Sequence, residues 1–161
     1  SAASDVYKRQ DDKGIFVLVK TSNPSSGELQ DMKLETNESV YEHMGKMCEG
    51  WGEDLMGKHG YSAVGAVVGA TYPEQLGEMR AKLPHTFFLV PGYGAQGGGA
   101  DDVKNAFDEN GLGAIINSSR GIMCAWKKQG LAEDDFAVAA RKEAERMRDE
   151  IVGCIGKIKL G

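Results

Sequence analysis

The chain has 161 residues and a formal net charge of −5, with acidic and basic residues interspersed along it. That length is enough for one domain with its own hydrophobic core. A nucleic-acid-binding protein would show a basic stripe, and the sequence has none, so we expect no nucleic-acid partner. No apolar run approaches the roughly 20 residues that span a bilayer, so we expect no membrane partner either.

The three cysteines, Cys48, Cys124 and Cys154, lie far apart and form no Cys-x-x-Cys pair. This spacing indicates neither a disulfide framework nor a zinc site. The first residues of the chain also lack the apolar core of a secretion signal. We therefore expect a protein of the reducing cytoplasm that holds no metal.

The amino-terminal end differs in character from everything that follows it. Its first ten residues show no hydrophobic periodicity and lead straight into an apolar run. We expect residues 1–12 to be disordered or foreign to the domain, and residues 13–161 to form the folded unit.

Four short apolar runs predict β-strands, and a helical pattern follows each of them. The runs are rich in β-branched and aromatic residues, which is typical of strands covered on both faces in a parallel sheet. They occupy residues 15–20, 63–70, 87–90 and 113–117.

The helical patterns place apolar residues at steps of three and four. The first covers residues 38–55, and Gly60 is its expected stop. A capping box of Thr71 and Glu74 is expected to begin the second. The last two patterns cover residues 101–107, with an aspartate at the cap, and residues 136–155.

Regular alternation of strand and helix indicates parallel strands joined by right-handed crossovers. Two architectures use it: an open doubly wound sheet, and a (β/α)8 barrel that needs eight such units in about 250 residues. An open sheet of four strands would leave apolar edges without a guarding charge or proline. We therefore expect an α/β fold that is part of a barrel.

The third strand runs directly into a segment with five glycines between Gly92 and Gly99. Glycine loses more backbone entropy on ordering than any other residue, so this segment is a loop. A strand, a glycine-rich loop and a helix, in that order, commonly accept a phosphate through backbone N–H groups. A flexible surface linker is the alternative that the glycine content leaves open.

Polar residues collect where the other strands end. In parallel α/β folds the carboxyl ends of the strands lie on one face, and that face carries the site. After the fourth strand, Arg120 is suited to hold a phosphate with two parallel hydrogen bonds, next to the backbone N–H groups of Ser119 and Gly121. A surface ion pair is the alternative role for Arg120.

Four motifs at these strand ends resemble, in the same order, the last four strand ends of the orotidine 5′-phosphate decarboxylase family, and more narrowly its longer bacterial branch. The resemblance runs from about Lys13 to the end of the sequence. It implies the C-terminal half, strands 5–8, of a (β/α)8 TIM barrel. The motifs are Lys20-Thr21-Ser22-Asn23-Pro24, Val67-Val68-Gly69-Ala70-Thr71, Val90-Pro91-Gly92-Tyr93-Gly94-Ala95-Gln96-Gly97-Gly98 and Asn117-Ser118-Ser119-Arg120-Gly121.

The activity that this resemblance implies is removal of carbon dioxide from orotidine 5′-monophosphate (OMP) to give UMP in pyrimidine synthesis, without a cofactor or a metal. The implied partner is a small-molecule nucleotide, OMP or UMP, and the full-length protein would be a homodimer. Ser22 resembles the serine that hydrogen-bonds the pyrimidine amide edge, and Pro91 the residue against the base. Gln96 resembles the glutamine of the mobile loop that closes over the phosphate, and Ser119 and Arg120 resemble the phosphate clamp.

The catalytic residues of that family are lysines and aspartates, most of them in an Asp-x-Lys-x-x-Asp motif that this sequence does not contain. Lys20 stands at its strand end with no carboxylate at a matching offset. We therefore expect a chain that keeps the binding loops, lacks the catalytic set and is inactive alone. Two alternatives stay open: the phosphate-binding half of another decarboxylase of the superfamily, acting on sugar phosphates, and a non-catalytic binding module.

Overall fold

Four parallel strands form one sheet in which each strand lies beside its successor along the chain. The computed structural model describes residues 13–94, 98–156 and 158–159, so the expectation for residues 1–12 lies outside the described residues. The four-stranded parallel sheet expected from the sequence is confirmed. The strands are β1 (Ile15–Lys20), β2 (Val64–Val68), β3 (Phe88–Pro91) and β4 (Ala114–Asn117).

Helical segments connect the strands, as parallel pairing requires. The α-helices of the described residues are α1 (Gly27–Gln30), α2 (Val40–Gly52), α3 (Pro73–Lys82), α4 (Ala100–Val103), α5 (Ser119–Met123), α6 (Ala125–Lys128) and α7 (Phe136–Ile155). Short 3₁₀ turns lie at Pro24–Ser26, Lys104–Ala106 and Glu133–Asp135. Among these residues no helix combines the length and the apolarity that crossing a membrane requires.

Helix α2 begins with a capping box that the sequence analysis did not single out. The Ser39 hydroxyl accepts from the Glu42 N–H, and the Glu42 carboxylate accepts from the Ser39 N–H. The box predicted at Thr71 is wrong, because α3 begins one residue after Tyr72 and has no side-chain cap. Pro73 at its first turn has no N–H to satisfy and presets the helical φ angle, so the start needs less help from a cap.

Two other helix boundaries also differ from the sequence prediction. Helix α2 ends at Gly52, and Gly60 adopts its φ of 80° in the turn before β2. The helix expected over residues 101–107 is instead the short α4 followed by a 3₁₀ turn. The cap residue of α4 is Gly99, whose N–H donates to the Asp102 carboxylate at 2.7 Å. The aspartate therefore stabilises the start of the helix from the first turn and does not occupy the cap position.

The core lies on one face of the sheet, between the strands and helices α2, α3 and α7. Phe88 and Val90 of β3 are fully buried there, and Leu76 and Met79 of α3 are buried among the same residues. Each such side chain contributes about 1.5–3 kcal/mol when removed from water. This face therefore supplies most of the hydrophobic stabilisation.

The opposite face of the sheet is largely open, which corrects the expectation that every strand is covered on both faces. Phe16 and Leu18 of β1 are 50% and 66% exposed, and Ile115 of β4 is 52% exposed. The first four residues of β1 alternate between half-buried and exposed positions because the helices lie on one side only, and its last two residues are buried. Only β2, inside the sheet, is buried at every position.

A closed polar network fills the amino end of the sheet, where the strands begin. The buried Arg80 guanidinium donates to the carbonyls of Thr86 at 2.9 Å and Gly113 at 3.2 Å, and also to that of Leu83. Its Cζ lies 4.2 Å from the centre of the Phe88 ring. Three carbonyls and an aromatic face therefore satisfy this buried cation.

Beside this cation, Tyr61 donates to Asp108 across the same end of the sheet, at 2.7 Å. Burial, together with this bond to a carboxylate, raises the pKa of Tyr61 to about 12. The second Asp108 oxygen accepts the N–H groups of Asn110 and Leu112, both at 2.8 Å. The Tyr61 hydroxyl and both Asp108 oxygens are bonded within the fold, which indicates a structural role.

Candidate functional site

An open cavity of about 170 Å³ lies at the carboxyl end of the sheet, where three of the strands run out. Segments after β1, β3 and β4 form its walls. The lining residues are Ser22, Pro91, Gly92, Tyr93, Asn117, Ser118, Ser119 and Arg120.

Four of the five residues predicted to bind ligand line this one cavity: Ser22, Pro91, Ser119 and Arg120. The fifth, Gln96, lies outside the described residues. No role was predicted from the sequence for Tyr93 or Asn117, which line the same cavity. Their positions within the strand-end motifs were the available signal.

The segment that carries Ser22 is fixed to both of its neighbours. The Thr21 N–H donates to the Gln30 side-chain oxygen at 3.0 Å, and the Gly69 N–H at the end of β2 donates to the Lys20 carbonyl at 2.7 Å. A Cβ at Gly69 would lie 3.0 Å from the backbone N of Ser22, so glycine permits this close approach. Ser22 is therefore placed by the ends of β1 and β2 together.

Lys20 lies beside the site and does not line the cavity. Its side chain is 1% exposed, and its ammonium group lies 2.6 Å from Asp31 and within 5.4 Å of the ring centres of Tyr41 and Tyr72. The expectation that Lys20 stands alone at its strand end is wrong, although the carboxylate does not lie at the offset of the family motif. Asp31 directly follows α1, and its carboxylate reaches Lys20 from there.

The glycine-rich loop leaves and returns to the sheet at a narrow neck. Tyr93 pairs with Gly98, and the Gly94 N–H donates to the Gly98 carbonyl at 2.7 Å. Gly92 and Gly94 have φ angles of 102° and 78°, which side-chain-bearing residues rarely adopt. The two glycines allow the chain to turn on each side of Tyr93.

The segment after β4 is packed against this neck. The Ser118 hydroxyl donates to the Tyr93 carbonyl at 2.9 Å, and the Ser119 hydroxyl reaches the Asn117 side-chain oxygen at 3.4 Å. The alternative role of Arg120, a surface ion pair, is not observed within the described part of the chain, where its exposed guanidinium has no hydrogen-bond or carboxylate partner. This cation is therefore available to a ligand.

Hydroxyl groups, one amide and one guanidinium give the cavity its chemistry. Such a set suits a ligand with an anionic group and further hydrogen-bonding atoms. Within residues 13–94, 98–156 and 158–159, no cluster of three His, Cys, Asp or Glu side chains is placed to hold a metal ion.

Comparison with known proteins gives consistent matches. A sequence model of the "Orotidine 5′-phosphate decarboxylase / HUMPS family" matches residues 1–134, a range that includes the amino-terminal segment. Orotidine 5′-phosphate decarboxylase of Clostridium tetani is 45% identical over 149 residues, 92% of this chain and 51% of that protein. The enzyme of Rhodopirellula baltica is 46% identical over 144 residues, 87% of this chain and 47% of that protein.

Solved structures agree with the sequence matches. OMP decarboxylase of Leishmania donovani superposes with a TM-score of 0.65 at 34% identity, covering 90% of this chain and 50% of that one. This match over half of a relative's chain confirms the expected half of a (β/α)8 barrel. The chain spans about half the length of the curated relatives it matches, and it belongs to the orotidine 5′-phosphate decarboxylase / HUMPS family.

Proposed function

We propose that the cavity binds the pyrimidine base and the 5′-phosphate of OMP or UMP, and that this chain supplies that binding half of an orotidine 5′-phosphate decarboxylase. The observation that supports the proposal is the convergence of Ser22, Pro91, Ser119 and Arg120 on one cavity, from three separate strand ends. These residues are up to 98 positions apart in sequence (120 − 22), so local folding alone does not explain their meeting.

Each lining residue has a role that its chemistry fits. The Arg120 guanidinium and the Ser119 hydroxyl are suited to the phosphate, and a planar guanidinium fork can form two parallel hydrogen bonds to it. The pyrrolidine ring of Pro91 offers an apolar surface to the base, and Ser22 offers a hydroxyl to its amide edge. Gln96 is proposed to complete the phosphate contacts from the glycine-rich loop.

We further propose that this chain binds the nucleotide and does not decarboxylate it alone. The sequence has no Asp-x-Lys-x-x-Asp motif, and its buried Lys20 is paired with Asp31 outside the cavity lining. Contacts to a phosphate that is remote from the reacting carbon supply binding energy for the chemical step. Without the catalytic lysine and aspartates, that energy lowers the dissociation constant only.

The remaining features of the proposal concern the surroundings of the protein. We propose that the reaction of the complete enzyme uses no cofactor and takes place in the cytoplasm, which suits the free cysteines Cys124 and Cys154. The nucleotide is its proposed small-molecule partner, without nucleic acid or membrane, and the full-length enzyme is proposed to be a homodimer.

Calorimetric titration of the chain with UMP, uridine and ribose 5-phosphate tests the proposal. We expect UMP to bind more tightly than either partial ligand, because only UMP engages the base contacts and the phosphate contacts together. Equal affinity for ribose 5-phosphate and UMP would remove the base contacts and favour a sugar-phosphate ligand. If none of the three ligands binds, the proposed binding function is contradicted. If the chain releases carbon dioxide from OMP, the proposed inactivity is contradicted.

A further inference from the structure

Tyr93 connects three parts of the molecule at the neck of the glycine-rich loop. Its phenol donates to Glu150 of α7 at 2.7 Å, and its backbone carbonyl accepts from the Ser118 hydroxyl at 2.9 Å. Its own strand pairing with Gly98 closes the loop at the other side of the neck. The residue thus touches the last helix, the segment after β4 and the returning end of its own loop.

We propose that Tyr93 is a positioning residue of the nucleotide site, whose phenol, anchored on Glu150, fixes the neck of the glycine-rich loop, formed by Tyr93, Gly94 and Gly98, relative to Ser119 and Arg120. The inference rests on the proposed function in taking those two loops as the phosphate site. The added residue is Tyr93, whose side chain holds the neck of the glycine-rich loop in place by its bond to Glu150 of α7.

Burial shows why the phenol matters in addition to the ring. Tyr93 is only 3% exposed, so a hydroxyl without a partner would lose its hydrogen bonds to water without replacement. A phenylalanine would fill nearly the same volume, and packing of the ring therefore does not account for the hydroxyl. Its acceptor is 57 residues away on another element, so the bond joins two separate parts of the fold.

The acceptor carboxylate is itself held in place. Arg146, one turn earlier on α7, pairs with Glu150 and also with both oxygens of Glu143, at 2.9 and 2.7 Å. Bonds from Tyr93 and Arg146 lower the pKa of Glu150. The carboxylate is therefore charged at neutral pH, and a charged acceptor makes the stronger hydrogen bond.

Two loops must be held in a fixed relation if they are to grip one phosphate. A displacement of about 1 Å is enough to weaken a site built from several hydrogen bonds. Ser118 is bonded to the Tyr93 carbonyl and directly precedes Ser119 and Arg120, so movement of Tyr93 is passed to both loops. The position of Tyr93 therefore sets the positions of both the glycine-rich neck and the segment with Ser119 and Arg120.

A second tyrosine provides a matched control. Tyr61 also donates to a carboxylate at 2.7 Å, and its pKa is also raised to about 12, but it lies at the opposite end of the sheet. Tyr93→Phe and Tyr61→Phe each delete one phenol–carboxylate bond. A loss of general stability affects both variants alike, and a positioning role affects only the first.

The experiment measures amide hydrogen exchange without ligand and then UMP affinity, for the 161-residue chain and both variants. In Tyr93→Phe we expect roughly tenfold faster exchange at the amides of Gly94 and Ile122. The Gly94 N–H bonds across the neck to Gly98, and the Ile122 N–H bonds to the Ser118 carbonyl. We expect UMP to bind roughly tenfold more weakly, with the affinity for uridine unchanged. In Tyr61→Phe those amides and both affinities stay as in the parent chain.

Two further variants keep the test decisive if Tyr93→Phe does not fold. Glu150→Gln keeps an acceptor for the phenol and should retain the slow exchange at Gly94, whereas Glu150→Ala should lose it. Equal exchange in Glu150→Gln and Glu150→Ala, or equal behaviour of the two tyrosine variants, would overturn the positioning role. Failure of the parent chain to bind UMP, with exchange altered as expected, would instead overturn the nucleotide site while the anchoring of the loop stands.

Discussion

The two ends of the sheet contain the same interaction in different surroundings. At the amino end Tyr61 donates to Asp108, and at the carboxyl end Tyr93 donates to Glu150, both at 2.7 Å. Around Tyr61 the neighbouring cation, Arg80, is enclosed by backbone carbonyls. Near Tyr93 the cation beside the acceptor, Arg146, is paired with Glu150 and Glu143. The cation that lines the same cavity as Tyr93, Arg120, is exposed and has no partner within the described residues.

This difference separates stability from function in physical terms. A buried polar network with every group satisfied stabilises the fold and offers nothing to a ligand. A cation left without a partner gains nothing for the fold and is available to bind an anion. We therefore expect substitutions at the amino end to change the free energy of unfolding, and substitutions at the carboxyl end to change ligand affinity.

The largest effect is expected from Arg80→Ala at the amino end. The change removes the guanidinium that donates to the carbonyls of Leu83, Thr86 and Gly113, and it removes the stacking on Phe88. We expect the free energy of unfolding, measured with urea, to fall by about 3–5 kcal/mol.

Lys82→Ala is the matched control for that change, because Lys82 lies on the same helix and its side chain is 44% exposed. Its ion pair with Glu42 should be worth less than about 1 kcal/mol. Similar losses in the two variants would show that the Arg80 network is not the stabilising feature we take it to be.

Arg120→Ala should reverse that pattern at the carboxyl end. We expect UMP affinity to fall by about 2–3 kcal/mol, because a charge-assisted pair to the phosphate is lost. Arg120→Lys should give an intermediate affinity, since it keeps the charge and loses the planar fork. Calorimetry measures the affinities, and urea unfolding should be unchanged.

The control for this cation is Arg148→Ala, which removes an exposed arginine from α7, paired with Asp149. The Arg148→Ala variant should bind UMP as the parent chain does. A comparable loss of affinity in both arginine variants would point to general attraction of the anion and away from a built phosphate site.

A smaller effect is expected at Gly121 of α5, beside the residue that bonds to the neck of the glycine-rich loop. A Cβ there would lie 2.3 Å from the Ser118 hydroxyl oxygen, so alanine must displace the group that bonds to Tyr93. We expect Gly121→Ala to lower the free energy of unfolding by about 1 kcal/mol and to weaken UMP binding.

Gly50→Ala in α2 is the control, since a Cβ at that position meets nothing within 4 Å. It should raise the free energy of unfolding by about 0.5–1 kcal/mol, as expected for glycine replaced within a helix. If Gly121→Ala is stabilising as well, the contact between Ser118 and the neck of the loop has no energetic importance.

The smallest effect concerns pH and the carboxylate at the amino end. Burial raises the pKa of Asp108, but the N–H of Leu112 and the Tyr61 phenol outweigh it, and the net pKa is lowered from 3.8. Folding thus favours the ionised form of Asp108. Its contribution to the free energy of unfolding is present above pH 3.8 and is lost as the pH falls below that value.

Urea unfolding between pH 7 and pH 3 should therefore show a decline at the acid end that is smaller in Asp108→Asn. UMP affinity should instead change at about pH 6, because a phosphate monoester gains its second negative charge there. An identical acid decline in the two proteins would exclude Asp108 as its source.

Much of the fold was predictable because its signals are local. The apolar runs that form β1 to β4 and the glycine segment after β3 are read from neighbouring residues, and the strand-end rule then brings Ser22, Ser119 and Arg120 to one face. Strand exposure was not predictable from the same runs. Phe16 and Leu18 have the composition of a buried strand, and only the placement of the helices decides which face is covered.

The contacts that sequence analysis missed join residues that are distant along the chain. Lys20 meets Asp31 across 11 residues, and Tyr93 meets Glu150 across 57 residues. No periodicity or spacing reports such pairs, since they depend on how elements pack. The cap predicted at Thr71 failed for a local reason, because Pro73 sets the helix start by its own geometry.

The most direct test of the nucleotide site is an NMR titration of the isotope-labelled chain with UMP. The account predicts that the amide signals of Ser22, Gly94, Ser119 and Arg120 shift together with a single dissociation constant, while those of Tyr61, Arg80 and Asp108 stay in place. Shifts confined to the amino end, or different dissociation constants for Ser22 and Arg120, would contradict a single site that holds base and phosphate at once.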